Sequence, residues 1–460
     1  MTTNILIVGN GFDLSHYLPT KYDHFMVVMQ AIENWDIGKG DMNFDDLFDV
    51  NHEKEGWFFQ KTKEIYDTKK IVLAKEIIIS LKNQLNNNSW YQYFKKHLKE
   101  IDTWIDFEER IGKVLYYIAD LIDKFSCKLN EKGWVSDEIH CYGETDNNKI
   151  FLGRSSRETL EIFRVLKSGY YEDYDESDEF GRVFTNRMET GHEADDFRYY
   201  IEVMYFTNSS LNGMNSILLL SNFQKGMDDF IQIFNSYLEL IINELEPEQQ
   251  FKIIEKSLIQ IDKIYSFNYT NSYQKFYDDE VDIEFLHGKL GEKQNIVLGI
   301  DDLESDELKK LKAYGFTKYH QKLFKDTDYL FLDGYRRQIE KIQQKIIELK
   351  QEKADCGGGE QVSSCQDKIN PAFEEYNLDL TFYIWGHSLD VSDKDYIIDL
   401  FSLNDDIDRN VRVVIYYFDS NAKFSLLNNL LSILKKNKVE HWMKNKWLKF
   451  EENPKIDFGI

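Results

Sequence analysis

The sequence predicts a mixed α/β fold in which large helical insertions interrupt a mostly parallel sheet. The chain has 460 residues, 42% of them hydrophobic, which is enough material to bury a sizeable core. Short apolar runs are separated by long segments whose apolar positions recur at three- and four-residue spacing. Continuous apolar runs are typical of strands that are buried on both faces, as in a parallel sheet covered by helices.

The first predicted strand is Ile5–Val8, which stops at a glycine-containing turn. Similar runs predict five further strands, at Ile264–Phe267, Ile283–Leu286, Ile296–Leu298, Leu380–Trp385 and Val411–Phe418. Each run ends in Gly, Asn, His or Asp residues. Because parallel strands end at the same edge of a sheet, we expect these polar residues to gather there.

Three separated segments supply most of these strands, and together they are predicted to form one discontinuous α/β core: 1–30, 255–301 and 378–460. Segment 31–254 lies between the first two and is predicted to be a mainly helical insertion. Helical periodicity covers three stretches of it: Ile71–Leu85, Phe107–Phe125 and Ser216–Leu245.

Two stretches of the insertions have patterns of their own. Segment 130–196 is predicted to be an acidic loop, because six acidic residues fall at 172–179, and a divalent-metal site is the alternative. Segment 302–377 is predicted to be an amphipathic helical insertion, with a seven-residue repeat from Leu332 to Leu349. Such a helix either packs on its own domain or serves as a dimerisation or partner helix.

Charge and cysteine content restrict the partners and the compartment. Asp and Glu number 81 against 56 Lys and Arg, so the formal net charge is −25. That charge repels phosphate backbones and anionic headgroups, so neither nonspecific nucleic-acid binding nor membrane binding is expected. Four cysteines without a C-x-x-C pair favour a reducing compartment, and no apolar run reaches membrane-spanning length. We therefore expect a cytoplasmic protein.

The turn after the first strand reads Gly9-Asn10-Gly11-Phe12-Asp13. Two glycines where a strand meets the next segment let backbone N–H groups approach a phosphate, although a plain tight turn has the same pattern. The third glycine of the dinucleotide-binding fingerprint is absent. Asp13 can accept hydrogen bonds from ribose hydroxyls, or it can cap the helix that follows.

Two further strand ends carry chemistry. Asn268, in Phe267-Asn268-Tyr269-Thr270-Asn271, offers a donor and an acceptor for a ribose hydroxyl or an attacking water, with an Asx-turn as the alternative. His287, in Leu286-His287-Gly288, has the proton affinity of a general base near neutral pH. A buried structural histidine is the alternative there.

The last motif is Gly386-His387-Ser388-Leu389-Asp390-Val391-Ser392-Asp393. Gly386 permits close backbone approach, while Ser388 and Asp393 can bind hydroxyls or cap a helix. The segment Thr103–Glu109 is similarly ambiguous. Asp106 and Glu109 have the three-residue spacing of a capping box, and a role in a pocket is the alternative.

Taken in order, these motifs resemble the AbiH family of bacterial phage abortive-infection proteins. The matching residues span both ends of the chain: Ile5–Leu14, Leu18-Pro19-Thr20-x-Tyr22, Trp104-x-Asp106-Phe107-Glu108, Phe267–Asn271, Leu286-His287-Gly288, Leu298-Gly299-Ile300 and Gly386–Asp390. The resemblance implies a protein that acts during phage infection.

The same set of motifs resembles, more distantly, the sirtuin-like NAD-cleaving domains of anti-phage systems. This resemblance implies a sirtuin-like, Rossmann-type sheet with NAD as substrate and no metal. It implies that Asn268 and His287 are catalytic. The residues that it implies bind the nucleotide are Gly9, Asn10, Gly11, Phe12, Asp13, Tyr269, Thr270, Gly386, His387, Ser388 and Asp393. The zinc-binding cysteine pairs of protein-deacylating sirtuins are missing, which favours glycohydrolysis over lysine deacylation.

Three functions follow as hypotheses. The first is an abortive-infection effector that hydrolyses NAD to nicotinamide and ADP-ribose. The second is a non-catalytic sensor that binds NAD, ADP-ribose or another nucleotide. The third is a nuclease-type toxin, against which the acidic charge counts. A phage or host protein as trigger and a homo-oligomer are further partners that these hypotheses include.

Overall fold

The structure is a computed structural model. It describes the chain apart from residues 1, 102, 141–147, 172–183, 186–196, 208–212, 255–259, 328–329, 356–376, 406 and 460. The helices are α1 (Asn10–Ser15), α2 (Tyr22–Asn34), α3 (Phe44–Lys54), α4 (Gly56–Ile65), α5 (Lys75–Asn87), α6 (Ser89–Lys96), α7 (Trp104–Lys132), α8 (Arg154–Ile162), α9 (Ser216–Tyr237), α10 (Ser272–Phe276), α11 (Asp306–Lys310), α12 (Lys318–Phe324), α13 (Asp333–Asp355), α14 (Lys394–Ser402) and α15 (Ser420–Lys444).

The strands are β1 (Thr3–Val8), β2 (Met42–Asn43), β3 (Val72–Leu73), β4 (Glu138–His140), β5 (Ile150–Phe151), β6 (Leu166–Tyr171), β7 (Phe184–Thr185), β8 (Phe197–Ile201), β9 (Lys252–Ile253), β10 (Lys263–Ser266), β11 (Asp282–Phe285), β12 (Leu380–Trp385), β13 (Val411–Tyr417), β14 (Leu448–Glu452) and β15 (Ile456–Asp457).

A six-stranded parallel sheet forms the centre of the fold, with strand order β11-β10-β1-β12-β13-β14. The strands run outward from β1 in two directions, so the order reverses between β1 and β12. This is the doubly wound, Rossmann-like arrangement, in which ligands bind at the carboxyl ends of the strands beside the reversal. The predicted α/β class with a mostly parallel sheet is confirmed.

The central strands of this sheet are buried on both faces, as their continuous apolar runs predict. In β1, Ile5 and Ile7 point into a core that includes side chains of α14 and α15. Leu6 and Val8 point into the opposite core, with Phe12 of α1 and residues of α10. The two-residue periodicity of a strand therefore divides one apolar run between two cores.

The observed strands differ from the predicted ones in two places. Ile296–Leu298 is fully buried but forms no strand, because its backbone N–H groups bond elsewhere: Val297 donates to the carbonyl of His287. Conversely, β14 was not predicted. It lies at the edge of the sheet, and its sequence, Leu-Lys-Phe-Glu-Glu, has little of the apolar character that marks the central strands.

The first insertion combines helices with a second sheet. Strands β4 to β8 form a five-stranded sheet in the order β5-β4-β8-β6-β7. Strands β4 to β7 lie within segment 130–196, which was predicted to be an acidic loop, and β8 follows it. The acidic residues 172–179 themselves lie outside the described residues. The domain boundaries 31–254 and 302–377 stay predictions, although all six strands of the parallel sheet come from the three predicted core segments.

The chain just after α1 joins the first insertion to the sheet. Side chains of the insertion donate hydrogen bonds to backbone carbonyls of residues 16–20: Thr62 to Tyr17, Tyr66 to His16, Tyr237 to Pro19 and Trp104 to Thr20. These carbonyls belong to no helix or strand ladder, so the insertion satisfies backbone groups that burial would otherwise leave unpaired. The Leu-Pro-Thr motif therefore has a structural role in docking the insertion.

The loops after β1 and β12 pack against each other backbone to backbone. The Gly9 N–H donates to the carbonyl of Trp385 (3.1 Å), and the Gly11 N–H donates to that of Gly386 (2.8 Å). A Cβ atom on Gly386 would lie 2.0 Å from the backbone nitrogen of Phe12. Glycine is required because the two backbones approach so closely. The two glycine amides that were predicted to cradle a phosphate are therefore already bonded within the protein.

This packing predicts that Gly386→Ala destabilises the fold. Gly386 has φ +76°, which L-residues rarely adopt, and its new methyl group would overlap the Phe12 nitrogen. The control is Gly133→Ala, at φ +78° with nothing within 4 Å of the new methyl group. We expect the control to lose about 1 kcal/mol of unfolding free energy, and Gly386→Ala to lose about 2–3 kcal/mol more. Chemical denaturation measures both, and equal losses would contradict the packing.

Candidate functional site

Two imidazoles and a carboxylate meet at the carboxyl edge of the parallel sheet. His287 follows β11, His387 follows β12, and Asp393 immediately precedes α14. The Nε2 atom of His287 lies 3.1 Å from Asp393 Oδ1, and Nε2 of His387 lies 3.4 Å from Asp393 Oδ2. All three side chains are buried. The structure thus brings together three residues that come from two separate sequence motifs.

The protonation of His387 follows from its contacts. The Leu389 N–H donates to His387 Nδ1 at 2.9 Å, so this nitrogen is an acceptor and the neutral ring carries its proton on Nε2. That proton faces Asp393. The backbone of the Gly386–Asp393 loop therefore orients the ring toward the carboxylate.

Lys318 supplies the positive charge of the cluster. Its Nζ lies 3.4 Å from Asp393 Oδ1 and 2.8 Å from Glu108 Oε1, and it is only 4% exposed. Burial alone would lower the pKa of this lysine, but Asp393 and Glu108 outweigh burial and raise the pKa above its ordinary value. A buried charge needs such partners. Lys318 begins α12, so the second insertion contributes to the site.

This environment shifts the pKa values of two carboxyl groups and one imidazole in different directions. Burial raises the pKa of Glu108 to about 7, with Lys318 opposing. Burial would also raise the pKa of Asp393, but Lys318 and His287 hold it well below its ordinary value. Burial lowers the pKa of His287 to about 4, against the attraction of Asp393. At neutral pH the cluster therefore contains an ionised Asp393 beside a neutral His287.

Aromatic rings separate the two imidazoles and cover the cluster. The ring of Phe267 lies 4.0 Å from that of His387 and 5.1 Å from that of His287, centroid to centroid. Tyr396 packs against Phe267, and the Lys322 ammonium lies 4.2 Å from the Tyr396 ring centroid. Such apolar walls exclude water and strengthen the electrostatic interactions inside.

A second cluster of polar side chains lies near the loop after β1. Thr270 Oγ1 donates to Asp13 Oδ2 at 2.8 Å, and Ser272 donates to Thr270 at 2.9 Å. Oδ1 of Asp13 is buried without a hydrogen-bond partner. Burial raises the pKa of Asp13 to about 6, with Thr270 opposing. The predicted ribose-binding Asp13 and Thr270 therefore contact each other in this structure.

The side chains of Asn268 and Tyr269 both donate hydrogen bonds to backbone carbonyls. The Asn268 side-chain amide donates to the Gly9 carbonyl at 3.0 Å, which ties the end of β10 to the end of β1. Tyr269 donates its hydroxyl proton to the carbonyl of Val297 at 3.2 Å. Asn268 thus lies at the sheet edge where it was predicted, and its amide nitrogen is used to hold the Gly9 loop.

The remaining predicted residues take different positions. Asn10 and Gly11 open α1, and Phe12 is buried against Trp385 in the core below the loop. Gly386 packs on the Gly9 loop. Ser388 is exposed, and its carbonyl accepts from Asn429 of α15. Of these five, Phe12 has a role in core packing, and Ser388 lies at the outer rim of the site.

The capping box at the start of α7 lies one turn earlier than predicted. Thr103 is the N-cap, and it exchanges hydrogen bonds with Asp106 at the third helical position, so Asp106 and Glu109 are not the pair. Because Thr103 caps the helix, Glu108 is free to turn inward to Lys318. The alternative pocket role of this segment therefore falls to Glu108.

Sequence reasoning missed Lys318, Lys322 and Tyr396. The two lysines are four residues apart on α12, so they share one face of that helix. This spacing was the signal available in the sequence, but most lysines with this spacing lie on solvated surfaces.

One other group of ligand-type side chains lies close together among the described residues, at Asp23, His24 and Glu55. Lys21 places its ammonium 2.7 Å from Glu55, which already neutralises that carboxylate. The group is therefore an ion pair with an adjacent histidine. Separately, none of the helices that the structure describes combines the length and apolar character needed to cross a membrane.

Fold and site together define a doubly wound α/β protein with a buried ionic cluster at the carboxyl edge of its sheet. Residues 5–417 match the family model described as Bacteriophage abortive infection AbiH. Since this match covers most of the chain, the protein belongs to the AbiH family, and the resemblance noted from its motifs is confirmed. No curated protein and no solved structure matches the chain.

The ionic cluster predicts a large loss of stability for Lys318→Met. The substitution leaves the buried carboxylates of Asp393 and Glu108 without their cation, which costs about 3–5 kcal/mol. The control is Lys310→Met. That lysine is exposed and pairs with the partly exposed Glu307, so its replacement is expected to have little effect on stability. Unfolding in denaturant compares the two variants with the wild type, and a loss for Lys318→Met as small as that of the control would contradict the cluster.

Proposed function

We propose that this AbiH protein is an abortive-infection effector that binds NAD at the carboxyl edge of its sheet and hydrolyses the bond between nicotinamide and ribose. The observation that carries the proposal is the meeting of His287, His387 and Asp393 beside the strand-order reversal, where doubly wound folds bind nucleotides. Membership of the family supports the role in phage abortive infection.

The chemistry needs little covalent help from the protein. Nicotinamide in NAD carries a positive charge, so the bond to C1′ of the ribose breaks with its electron pair moving to the ring nitrogen, and neutral nicotinamide leaves. Water then forms a bond to C1′ and gives up a proton. The protein's contribution is to hold the ribose and the water in position within a site that excludes bulk solvent.

The described residues have properties that suit this reaction. A neutral His287 can accept the proton from water or from a ribose hydroxyl. Asp393, 3.1 Å away, stabilises the imidazolium that forms. Asn268 at the end of the adjacent strand has an amide group for a ribose hydroxyl or the water. Its hydrogen bond to Gly9 exchanges for one to the ligand in this mechanism.

The cluster is nearly closed to solvent in this structure, with His287 6% and Asp393 9% exposed. NAD therefore binds only after the rim of the site opens. The same closure favours the second candidate function, a sensor that binds NAD, ADP-ribose or another nucleotide without cleaving it. A nuclease-type toxin fits less well, because Lys318 is already the counter-ion shared by the two buried carboxylates.

The test is cleavage of NAD by purified protein and by infected cells. We expect His287→Ala and Asn268→Ala to reduce NAD turnover at least about a hundredfold, with release of nicotinamide measured by chromatography. His320→Ala is the matched control, since His320 is exposed on α12. The infected-cell arm covers a protein whose site opens only during infection. NAD levels that stay intact during an effective defence response would reject the glycohydrolase, and nucleotide binding without product would favour the sensor.

A further inference from the structure

We propose that Lys322 binds a phosphate group of the nucleotide. The rim of the site therefore recognises the nucleoside diphosphate part of the ligand. The inference rests on the proposed function, because it assigns the ligand's diphosphate to one side of the same site. The carrying observation is an ammonium group at the edge of a buried ionic cluster that has no carboxylate of the described residues within salt-bridge distance.

Lys322 and Lys318 lie one helical turn apart on α12 and differ in their partners. Lys318 is neutralised by Glu108 and Asp393. No carboxylate in the described part of the chain lies within salt-bridge distance of Lys322, and its close contact is with the ring of Tyr396. Because burial removes water from Lys322, its pKa is lowered to about 8, and most molecules still carry the charge at neutral pH.

The position of Lys322 points to the ligand side of the cluster. Tyr396, over which it lies, packs against Phe267 at 5.1 Å and has its ring centroid 6.2 Å from that of His287. Lys322 is also close enough to contribute to the lowered pKa of His287, after the larger effect of burial. The ammonium group is therefore within the length of a nucleotide from the proposed general base.

An anionic ligand would supply a negatively charged partner for Lys322. The whole chain carries a formal net charge of −25, so a phosphate needs a local cation to approach. His287, His387 and Lys318 lie within salt-bridge distance of Asp393. Lys322 has no such close partner among the described residues, so its ammonium group is available to an incoming anion. Lysine is a common phosphate-binding residue, and a charged hydrogen bond of this kind stabilises a complex substantially.

The experiment measures binding of NAD, ADP and nicotinamide riboside to the wild type and to Lys322→Met by titration calorimetry. Nicotinamide riboside has no phosphate, so it separates recognition of the sugar from recognition of the diphosphate. We expect Lys322→Met to weaken binding of NAD and ADP at least about tenfold and to leave nicotinamide riboside unchanged. Lys322→Arg retains most of the affinity, because it keeps the charge.

The matched control is Lys39→Met, since Lys39 also lies over an aromatic ring, that of Trp35, but far along the chain from the cluster. In turnover assays we expect Lys322→Met to raise KM with little change in kcat, whereas His287→Ala lowers kcat. Equal affinity of wild type and Lys322→Met for NAD and ADP overturns the inference while leaving the glycohydrolase intact. If ADP binds in a Lys322-dependent manner but NAD is neither bound nor cleaved, the phosphate site is supported and the proposed function is rejected. No binding of either nucleotide overturns the inference, and NAD levels in infected cells then decide the proposed function.

Discussion

The architecture of the site depends on one buried carboxylate, that of Asp393. An ionised carboxylate away from water is costly unless charged or hydrogen-bonding partners surround it. Here the partners are His287, His387 and Lys318, and they arrive from three separate parts of the chain. Lys318 in turn requires Glu108 on the first insertion. The need to neutralise buried charge therefore ties both insertions to the carboxyl edge of the sheet.

Tight packing of the two glycine loops bears on the proposed function. In a doubly wound sheet the strand-order reversal normally leaves a crevice for the ligand. In this protein the Gly9 and Gly386 loops meet across the reversal, and the ionic cluster beside them is nearly sealed. We interpret this as a resting state of the proposed effector.

Local patterns in the sequence were sufficient to predict the parallel sheet and several of its strand-end residues. Apolar runs indicate buried strands, and the glycine or polar residues that follow them indicate the edge of the sheet. These two patterns located Asn268, His287 and His387 correctly along the chain. The same patterns failed for Ile296–Leu298, since an apolar run indicates burial and not strand pairing. Glu108, Lys318 and Lys322 could not be assigned, because periodicity cannot tell which charged residue of an insertion turns inward. The tertiary contacts with Asp393 and Glu108 make a buried Lys318 favourable.

An experimental structure of the protein with ADP-ribose tests most directly whether this ionic cluster is the functional site. ADP-ribose is the proposed product, so it is not consumed. We expect the ribose to lie beside His287 and Asp393, with the diphosphate near the Lys322 ammonium and the rim of the site opened to admit it. ADP-ribose bound at another surface, or a cluster that stays closed and empty at saturating ligand, would contradict the assignment of this buried ionic cluster as the functional site.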